Sequence, residues 1–428
     1  MSRRQKRIGL WICLCLGALI VALIKTRPEQ MQRPDLTVIG FVALADGLGQ
    51  QGVELIECVK EGLLINFKHS RRKNEGEIRT LSPKMRAIIT SPNEQNGKVV
   101  FFEDALYYPY APFYEAVEQI DDVESIKIAY SVMESSKIPS EWVLILNSVF
   151  DAVVVPDPYL VDVYRACGVL IPIFSIPLSF PMEDLLSLPL KEKAGDPFVF
   201  TNLSSVGVER KNQLTLVKAF AKAFKDNPHV LLKMNAKEWD PAYKKEVLKL
   251  IEQESLSNVF MTEKSLSRAE YRQELFTSDC FVNVSKGEGF SVPPREAMAL
   301  GIPVIASNNT AQQTLCRTGL VKALSVSSLE RASYREGFNP GFFFQTSEDE
   351  LAKAMSDVYQ HYSTYLQTRK LSRKWVMQYQ RSRLRDLYKT LIKPSEVVLS
   401  HENTLEDGIL YTDSESLYEK YKKLGMAL

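Results

Sequence analysis

The most informative part of the sequence is residues 286–306, which read KGEGFSVPPREAMALGIPVIA. Two carboxylates, Glu288 and Glu296, stand on either side of a glycine-containing turn. The Pro-Pro pair at 293–294 suits the first turn of a helix, where a missing backbone N–H costs nothing. Gly301 ends that helix, and the apolar residues after it predict a buried strand. The stretch therefore predicts a loop, a short helix and a strand in succession.

The turn before the helix has the chemistry of an anion-binding site. The N–H groups of Gly289, Phe290 and Ser291 would lie unpaired at a helix N-terminus, whose partial positive charge favours phosphate. Gly289 allows the backbone to come close to a ligand. Glu288 and Glu296 can accept hydrogen bonds from sugar hydroxyls. The turn therefore predicts a site that holds a polyol beside a phosphate.

Three features carry a resemblance to a known family: the Glu-x7-Glu spacing, the Gly-Phe-Ser between the two acids, and the following residues AMALGIPVIA at 297–306. In these features the sequence resembles the retaining glycosyltransferases of family 4, which have the GT-B fold. The resemblance implies that Glu288 contacts the donor sugar and that Glu296 binds the nucleotide ribose. It also implies that the amides of residues 289–291 support the sugar hydroxyls or the phosphates. The alternative is that Glu288 caps a helix or is solvated, and that Glu296 merely suits a first helical turn.

A second motif, Glu-Arg-Lys-Asn at 209–212, opens a predicted helix. Two cations at a helix N-terminus are unfavourable for the helix alone, so they indicate a bound anion. Arginine supplies a fork of donors and lysine a point charge, which together suit a diphosphate. In the resembling branch of the family this motif stands at the donor pyrophosphate site, which implies that role for Arg210 and Lys211. The alternative is two solvated surface cations.

A glycine-rich turn follows the first predicted strand, residues 36–44, and precedes a predicted helix over about 53–67. Its glycines fit G-x-G-x-x-G, the fingerprint of dinucleotide binding. The region roughly twenty residues further on is basic and lacks the ribose-binding acid, which disfavours NAD and leaves little room for NADP. The resemblance instead implies that the turn, with Gly49, faces the donor cleft. A tight turn with no binding role is the alternative.

The first domain is predicted to continue with strands at residues 87–90, 99–102 and 126–130. The segments around Met133-Glu134 and 151–157 partly resemble the acceptor-side pattern of one family branch. Met133 and Asp157 depart from that pattern, where Trp and Ser are common. Glu134 is a candidate for orienting an acceptor hydroxyl, and a solvated loop carboxylate is the alternative.

The predicted fold is α/β of the GT-B type, with two facing Rossmann-like doubly wound domains, C-terminal crossover helices and an N-terminal membrane anchor. The predicted segments are 1–7 for a basic tail, 8–24 for the anchor, 25–35 for a linker, 36–180 for the acceptor domain, 181–196 for a linker, 197–346 for the nucleotide-sugar domain, 347–393 for the crossover helices and 394–428 for a tail.

The anchor prediction rests on residues 8–24, IGLWICLCLGALIVALI, which carry no charge and have basic neighbours on both sides. Their length is within the range of a spanning helix, and no small-residue cleavage site follows. More basic residues precede than follow, which favours a cytosolic N-terminus. The segment therefore predicts a single-pass membrane protein, of type II in the Golgi or endoplasmic reticulum of a eukaryote, or in the inner membrane of a bacterium.

The composition is that of a globular protein and gives no indication of a nucleic-acid partner. The chain has 428 residues, of which 45% are hydrophobic and 25% charged, as is ordinary for a globular protein. A net charge of +1 provides no large basic field, so nucleic acid is not expected as a partner. No Asp-x-Asp triplet is present, so nothing predicts a metal at the diphosphate. Arg210, Lys211 and amide dipoles would take that role.

The predicted function is transfer of a hexose-type sugar, with retention, from a UDP-, GDP- or ADP-sugar to a glycan, lipid or protein acceptor. No cofactor or metal is expected. Arg210 and Lys211 would stabilise the leaving diphosphate, and Glu288 would hold the sugar. The alternatives are a non-catalytic GT-B protein that binds glycans or partners, and a nucleotide-dependent oxidoreductase. Donor and acceptor identity stay open, because a few cleft residues decide them.

Overall fold

The structure is a computed structural model that describes residues 32–44, 47–92, 94–106, 120, 124–334, 337, 339–393 and 415–426. Within these residues the strands form two six-stranded parallel sheets and one two-stranded hairpin. The predicted α/β class with two parallel sheets is therefore confirmed.

The membrane prediction needs correction. No helix in the described part of the chain is long and apolar enough to cross a membrane. Residues 8–24, on which the predicted anchor rested, lie outside the described residues. The structure therefore does not support a single-pass location in the Golgi, the endoplasmic reticulum or a bacterial inner membrane.

The first sheet is built from six largely buried strands. They are β1 (Leu36–Gly40), β2 (Ile65–His69), β3 (Val99–Glu103), β4 (Ile126–Tyr130), β5 (Ala152–Val155) and β6 (Ile173–Ser175). Their order is β2-β1-β3-β4-β5-β6, and all neighbouring strands are parallel. Successive residues face opposite sides, so Phe101 enters one core cluster and Phe102 another. Apolar side chains on both faces suit a parallel sheet covered by helices.

The helices of this domain are α1 (Gly47–Val59), α2 (Glu75–Ile78), α3 (Pro83–Thr90), α4 (Ser140–Val149) and α5 (Pro158–Ala166). The strand predicted at 87–90 is wrong, because these residues end helix α3. Ser82 caps that helix by accepting a hydrogen bond from the N–H of Met85, and Pro83 takes the first helical position. An apolar run of four residues fits either a strand or a helix, and here the capping residues favour the helix.

The second sheet follows the predicted linker, which contains one short helix, α6 (Glu183–Leu186). Its strands are β7 (Phe198–Gly207), β8 (Val230–Trp239), β9 (Val259–Glu263), β10 (Cys280–Asn283), β11 (Val304–Ser307) and β12 (Lys322–Leu324). Their order is β12-β11-β10-β7-β8-β9. The chain therefore changes direction of winding between β7 and β10. In open parallel sheets the crevice at such a point, beside the carboxyl ends of the strands, is where ligands bind.

The elements around the second sheet are α7 (Gln213–Phe224), α8 (Pro241–Gln253), α9 (Arg268–Thr277), α10 (Val292–Ala299) and α11 (Gln312–Cys316). A 3-10 turn, Glu209–Lys211, precedes α7. An antiparallel hairpin, β13 (Val326–Arg331) and β14 (Phe342–Thr346), follows β12.

The C-terminal helices are α12 (Glu348–Gln360), α13 (Tyr362–Tyr365), α14 (Arg369–Val376), α15 (Arg381–Ile392) and α16 (Glu415–Lys423). Helix α15 packs on α1 of the first domain. Arg381 forms two hydrogen bonds to the Glu54 carboxylate, at 2.7 and 2.8 Å, and Gln51 donates to the Tyr388 hydroxyl at 2.7 Å. Helix α16 buries Tyr421 in the same core. The chain thus returns to the first domain, as the GT-B resemblance implied.

Candidate active site

Two loops meet at the crevice between β7 and β10. The first is the turn Glu209–Lys211 after β7, and the second is residues 284–291 after β10. The N–H of Lys286 donates to the carbonyl of Arg210 at 2.8 Å, which ties the two loops together. The crevice therefore brings together the two motifs singled out in the sequence, although 77 residues separate Arg210 from Gly287.

The predicted residues Arg210, Lys211 and Glu288 form one charged cluster. The Lys211 Nζ lies 2.6 Å from Glu288 Oε1, and Arg210 Nη1 lies 3.6 Å from Glu288 Oε2. Ser285 Oγ also donates to Glu288 Oε1, at 2.6 Å. The backbone N–H of Glu288 donates to Thr310 Oγ1 at 2.8 Å. The carboxylate is therefore fixed from several directions.

These contacts decide the charge of Glu288. Burial opposes ionisation of the carboxyl, but Lys211, Arg210 and the hydrogen bond from Ser285 together outweigh it, and the pKa of Glu288 lies below its ordinary value. Glu288 is therefore ionised at neutral pH. A carboxylate accepts about four hydrogen bonds, so it retains capacity for sugar hydroxyls beside Lys211 and Ser285.

The predicted acceptor residue Glu134 belongs to the first domain and reaches the same cluster. Its Oε1 lies 3.3 Å from Arg210 Nη2, while Arg210 Nη1 donates to the carbonyl of Gly287 at 2.7 Å. Gly287 is a point of close approach between the domains, because a Cβ added to it would lie 1.9 Å from the carbonyl oxygen of Glu134. Only glycine permits this approach.

The loop amides at 289–291 have the arrangement that the sequence predicted. Within the described residues, the backbone N–H groups of Gly289, Phe290 and Ser291 have no acceptor. Ser291 precedes helix α10 in a left-handed conformation, with φ 70°, and Asn283 donates to its hydroxyl at 2.6 Å. The Phe290 side chain is buried in the core, so only its backbone is available to a ligand. Unpaired amides before a helix N-terminus suit an anion.

Glu296 lies on α10 and is held by two residues of helix α9. Arg268 Nη1 donates to its Oε1, and the Tyr271 hydroxyl to its Oε2, both at 2.6 Å. Burial raises the pKa of Glu296 and outweighs the opposing effects of Arg268 and Tyr271. Arg268 also forms two hydrogen bonds to Asp184 of the interdomain helix α6, at 2.9 and 2.8 Å. Glu296, which is predicted to bind the ribose, is therefore connected through Arg268 to the linker between the domains.

Gly49 belongs to the first domain. It lies in the first turn of α1, where an added Cβ would come within 2.7 Å of Phe41 and Ala43. This close packing of helix against strand end accounts for the glycine. Its predicted place in donor binding stays a prediction.

Sequence reasoning missed several residues that hold the site. Ser285 and Thr310 follow the carboxyl ends of neighbouring strands β10 and β11, so the meeting of parallel strand ends at one edge was a usable signal. Arg268 is the first residue of α9 and lies between Ser267 and Glu270, which form the capping box. That box marks a helix start in the sequence, but nothing local pairs Arg268 with Glu296.

Comparison with known proteins finds one family profile that matches the second domain. Residues 191–375 match the profile of the family described as Glycosyl transferases group 1. No curated protein matches this chain in sequence.

The fold is also found in solved structures. HepE from Anabaena, in complex with UDP and glucose, aligns with a TM-score of 0.61 at 12% identity, over 84% of this chain and 99% of its own. A glycosyltransferase from Rickettsia africae gives 0.61 at 14%, over 86% and 99%. Sucrose-phosphate synthase from Thermosynechococcus elongatus gives 0.59 at 15%, over 83% and 98%. At such identities the likeness shows the fold alone.

The α/β fold is therefore GT-B-like, with two parallel sheets. The family match covers the crevice in which Arg210, Lys211 and Glu288 meet. Residues 191–375 match the group 1 glycosyltransferase profile, and the prediction that the chain is a glycosyltransferase is confirmed.

Proposed function

We propose that this glycosyltransferase belongs to family 4 and moves a hexose-type sugar, with retention and without a metal, from a nucleoside diphosphate donor to a glycan, lipid or protein acceptor. The observation that carries the proposal is the meeting of Arg210, Lys211 and Glu288 at the switch point of the second sheet. The Glu-x7-Glu motif of Glu288 and Glu296 supports the assignment to family 4.

Arg210 and Lys211 stabilise the leaving diphosphate. Charge builds on its oxygens as the bond to the anomeric carbon breaks, and fixed cations in a water-poor cleft lower the energy of that state. Both ammonium and guanidinium are largely buried and already oriented by Glu288 and Gly287. The unpaired amides of residues 289–291 add donors on the same side. These groups supply the positive charge that a metal supplies in other transferases.

Glu288 accepts hydrogen bonds from hydroxyls of the donor sugar, and Glu296 binds the ribose beside Arg268. Gly49 lines the phosphate side of the cleft. The nucleotide is that of a UDP-, GDP- or ADP-sugar. The likeness to HepE, which was solved with UDP and glucose, makes UDP-glucose the first donor to test.

Glu134 orients the acceptor hydroxyl. Its carboxylate lies on the first domain, across the cleft from Glu288, and is joined to the donor side through Arg210 at 3.3 Å. In the retaining reaction the acceptor oxygen bonds to the anomeric carbon on the face from which the diphosphate leaves. The hydroxyl proton passes to the departing phosphate oxygen.

The test is release of nucleotide by the full chain from a panel of UDP-, GDP- and ADP-sugars with mixed glycan acceptors. We expect release from one donor, and a fall of about 100-fold or more in Glu288→Gln, because an ionised acceptor of sugar hydroxyls is lost. Glu252→Gln, an exposed change on α8, is the matched control. Wild-type turnover in Glu288→Gln would contradict the donor-site assignment.

Two further measurements test metal independence and retention of the anomeric configuration. Turnover that survives EDTA supports metal independence, whereas loss that only a divalent cation restores would contradict it. The anomeric configuration of the product, read from proton couplings by NMR, must equal that of the donor. An inverted product would exclude the retaining reaction.

A further inference from the structure

Arg295 is a fully buried cation next to the donor loop, and the proposed mechanism does not use it. It lies on α10 directly before Glu296. Its Nη1 donates to the carbonyls of Phe290 and Ser291, the latter at 3.1 Å. These two carbonyls belong to the loop whose N–H groups at 289–291 have no acceptor in the described part of the chain. Arg295 therefore fixes the orientation of the peptide groups at 290–292.

The rest of the Arg295 environment is aromatic. Its guanidinium carbon lies 3.9 Å from the centre of the Phe290 ring and 5.1 Å from that of Tyr379. Aromatic faces attract a cation, but they do not supply the hydrogen bonds that a guanidinium needs. In the described part of the chain, Arg295 Nε and Nη2 have no hydrogen-bond partner.

The carboxylate that faces Arg295 comes from the other domain. Asp157 Oδ2 lies 3.6 Å from Arg295 Nη2, and this oxygen likewise has no hydrogen-bond partner among the described residues. Asp157 Oδ1 is occupied, because it caps α5 by accepting from the N–H of Tyr159 at 3.1 Å and receives the Thr314 hydroxyl at 3.0 Å. Two buried charges from different domains thus face each other just beyond hydrogen-bond distance.

We propose that Asp157 and Arg295 are a positioning pair that closes when the two domains approach, and that fixes the donor loop 289–291 in its working shape. A charge-assisted bond needs about 2.8 Å, so an approach of roughly 0.8 Å makes it. The inference rests on the proposed donor site, since it assigns a role to the loop that lines that site. Neither residue touches the substrate, and both act through the carbonyls of Phe290 and Ser291.

The Asp157–Arg295 pair contributes more to the geometry of the donor loop than to the stability of the fold. Burying two ions costs nearly as much as their attraction returns. In agreement, burial raises the pKa of Asp157 to about 6, and Arg295 offsets only part of that effect. Ser291 needs such support, because a non-glycine residue seldom adopts a φ of 70° unless neighbours fix it. Asn283 fixes its hydroxyl and Arg295 its carbonyl.

The experiment removes the charge of Asp157 and keeps the helix cap. Asn and Ser both cap helices well, so Asp157→Asn and Asp157→Ser are expected to fold. In each we expect kcat to fall about 10-fold or more, with the Kd for UDP and the Tm close to wild type. Asp162→Asn, the same change at an exposed position of α5, is the matched control and is expected to retain kcat.

A double-variant cycle with Arg295→Met tests whether the two residues act as one unit. We expect the double variant Asp157→Asn/Arg295→Met to have the same kcat as Arg295→Met alone, because either change already removes the interaction between the two residues. Effects that multiply, or a wild-type kcat in both Asp157 variants, would overturn the inference.

A readout without turnover separates this inference from the proposed function. Amide hydrogen exchange of the peptide spanning 284–292 is measured with saturating UDP. We expect faster exchange in Asp157→Asn than in wild type, since the loop loses its clamp. Unchanged exchange would overturn the positioning pair even if transfer is active. If the wild type shows no sugar transfer but Asp157→Asn still exchanges faster than the wild type, the proposed function is contradicted and the positioning pair is supported.

Discussion

Arg210 is the most connected cation of the site, because one guanidinium bonds the carbonyl of Gly287 and lies near both Glu134 and Glu288. Lysine cannot reproduce that fork. We expect Arg210→Lys to lower kcat about 10-fold and Arg210→Ala about 10²- to 10³-fold, as charge on the leaving diphosphate loses its partner. Steady-state nucleotide release measures this. Lys249→Ala, an equal charge change on the exposed side of α8, must leave kcat unchanged.

Arg268 has a different expected effect, because it holds Glu296, the residue proposed to bind the ribose. We expect Arg268→Ala to raise the donor KM about 10-fold with a smaller change in kcat, as uniform binding is lost. Asp184→Asn weakens the contact of Arg268 with the linker, where the carbonyl of Pro181 still accepts from the guanidinium, and keeps its bond to Glu296. A donor KM that stays constant in Arg268→Ala would show that Glu296 needs no support.

The residues that could be predicted are those with a local pattern. Glu288 and Glu296 stand in one continuous motif, and the adjacent cations Arg210 and Lys211 are unfavourable at a helix start without an anion. Arg268 could not be predicted, because its partner Glu296 is 28 residues away and no pattern joins them. The same limit hid the pairing of Arg295 with Asp157, which only the approach of the two domains creates.

At the scale of elements, the loop after β10 packs against the first domain through two glycines. A Cβ at Gly287 would lie 1.9 Å from the backbone carbonyl of Glu134, whereas one at Gly289 would lie 2.1 Å from the side-chain Cγ1 of Val132. Neither glycine has a left-handed φ, so the argument is steric. A backbone oxygen cannot withdraw, but the end of a side chain can move.

We therefore expect Gly287→Ala to lower kcat about 10²-fold, since a shift of about 1 Å at the site has that effect. Gly289→Ala should cost less, and Val132→Ala should restore most of its loss, because the double variant removes the clashing methyl. Nucleotide release under matched conditions compares the four proteins. Equal losses in the two glycine variants, or no restoration by Val132→Ala, would contradict the packing argument.

Elements with a motif were predicted, and short or capped ones were not. The helix predicted over about 53–67 is α1, Gly47–Val59, and strand β2, Ile65–His69, falls inside the predicted range. Helix α10 and strand β11 follow from the prolines and the apolar run at 293–306. The run at 87–90 is too short for its period to separate strand from helix, and Ser82 with Pro83 decided the outcome. Helix α16 was not predicted, because its polar sequence gains stability only from burying residues such as Tyr421 against the first domain.

For the molecule as a whole, alternation of strands and helices was enough to predict two parallel sheets, because parallel strands require crossover connections. The contacts that join the domains were beyond such reasoning. Arg381 with Glu54 and Tyr388 with Gln51 are more than 300 residues apart in the chain, and only the return of α15 brings them together. The same return covers a buried carboxyl at the end of β3.

That carboxyl, Glu103, gives the stability of the protein a defined pH dependence. It is almost fully buried near Tyr130 and Tyr388, and within the described residues neither of its oxygens has a hydrogen-bond partner. Burial raises the pKa of Glu103 from 4.5 to about 8. Between these values the folded protein keeps a proton that the unfolded chain has released. Stability from Glu103 is therefore greatest below pH 4.5 and is lost as the pH rises to 8.

Each pH unit in that window removes up to about 1.4 kcal/mol of unfolding free energy, and Glu103→Gln, which has no proton to lose, abolishes the loss. We expect the wild type to lose up to about 3 kcal/mol more than Glu103→Gln between pH 6 and pH 8, measured by urea unfolding at each pH. Glu252→Gln, on the exposed side of α8, must follow the wild type. Parallel losses in the wild type and Glu103→Gln would mean that Glu103 is ionised in the folded protein, and that a partner or solvent reaches it beneath α15.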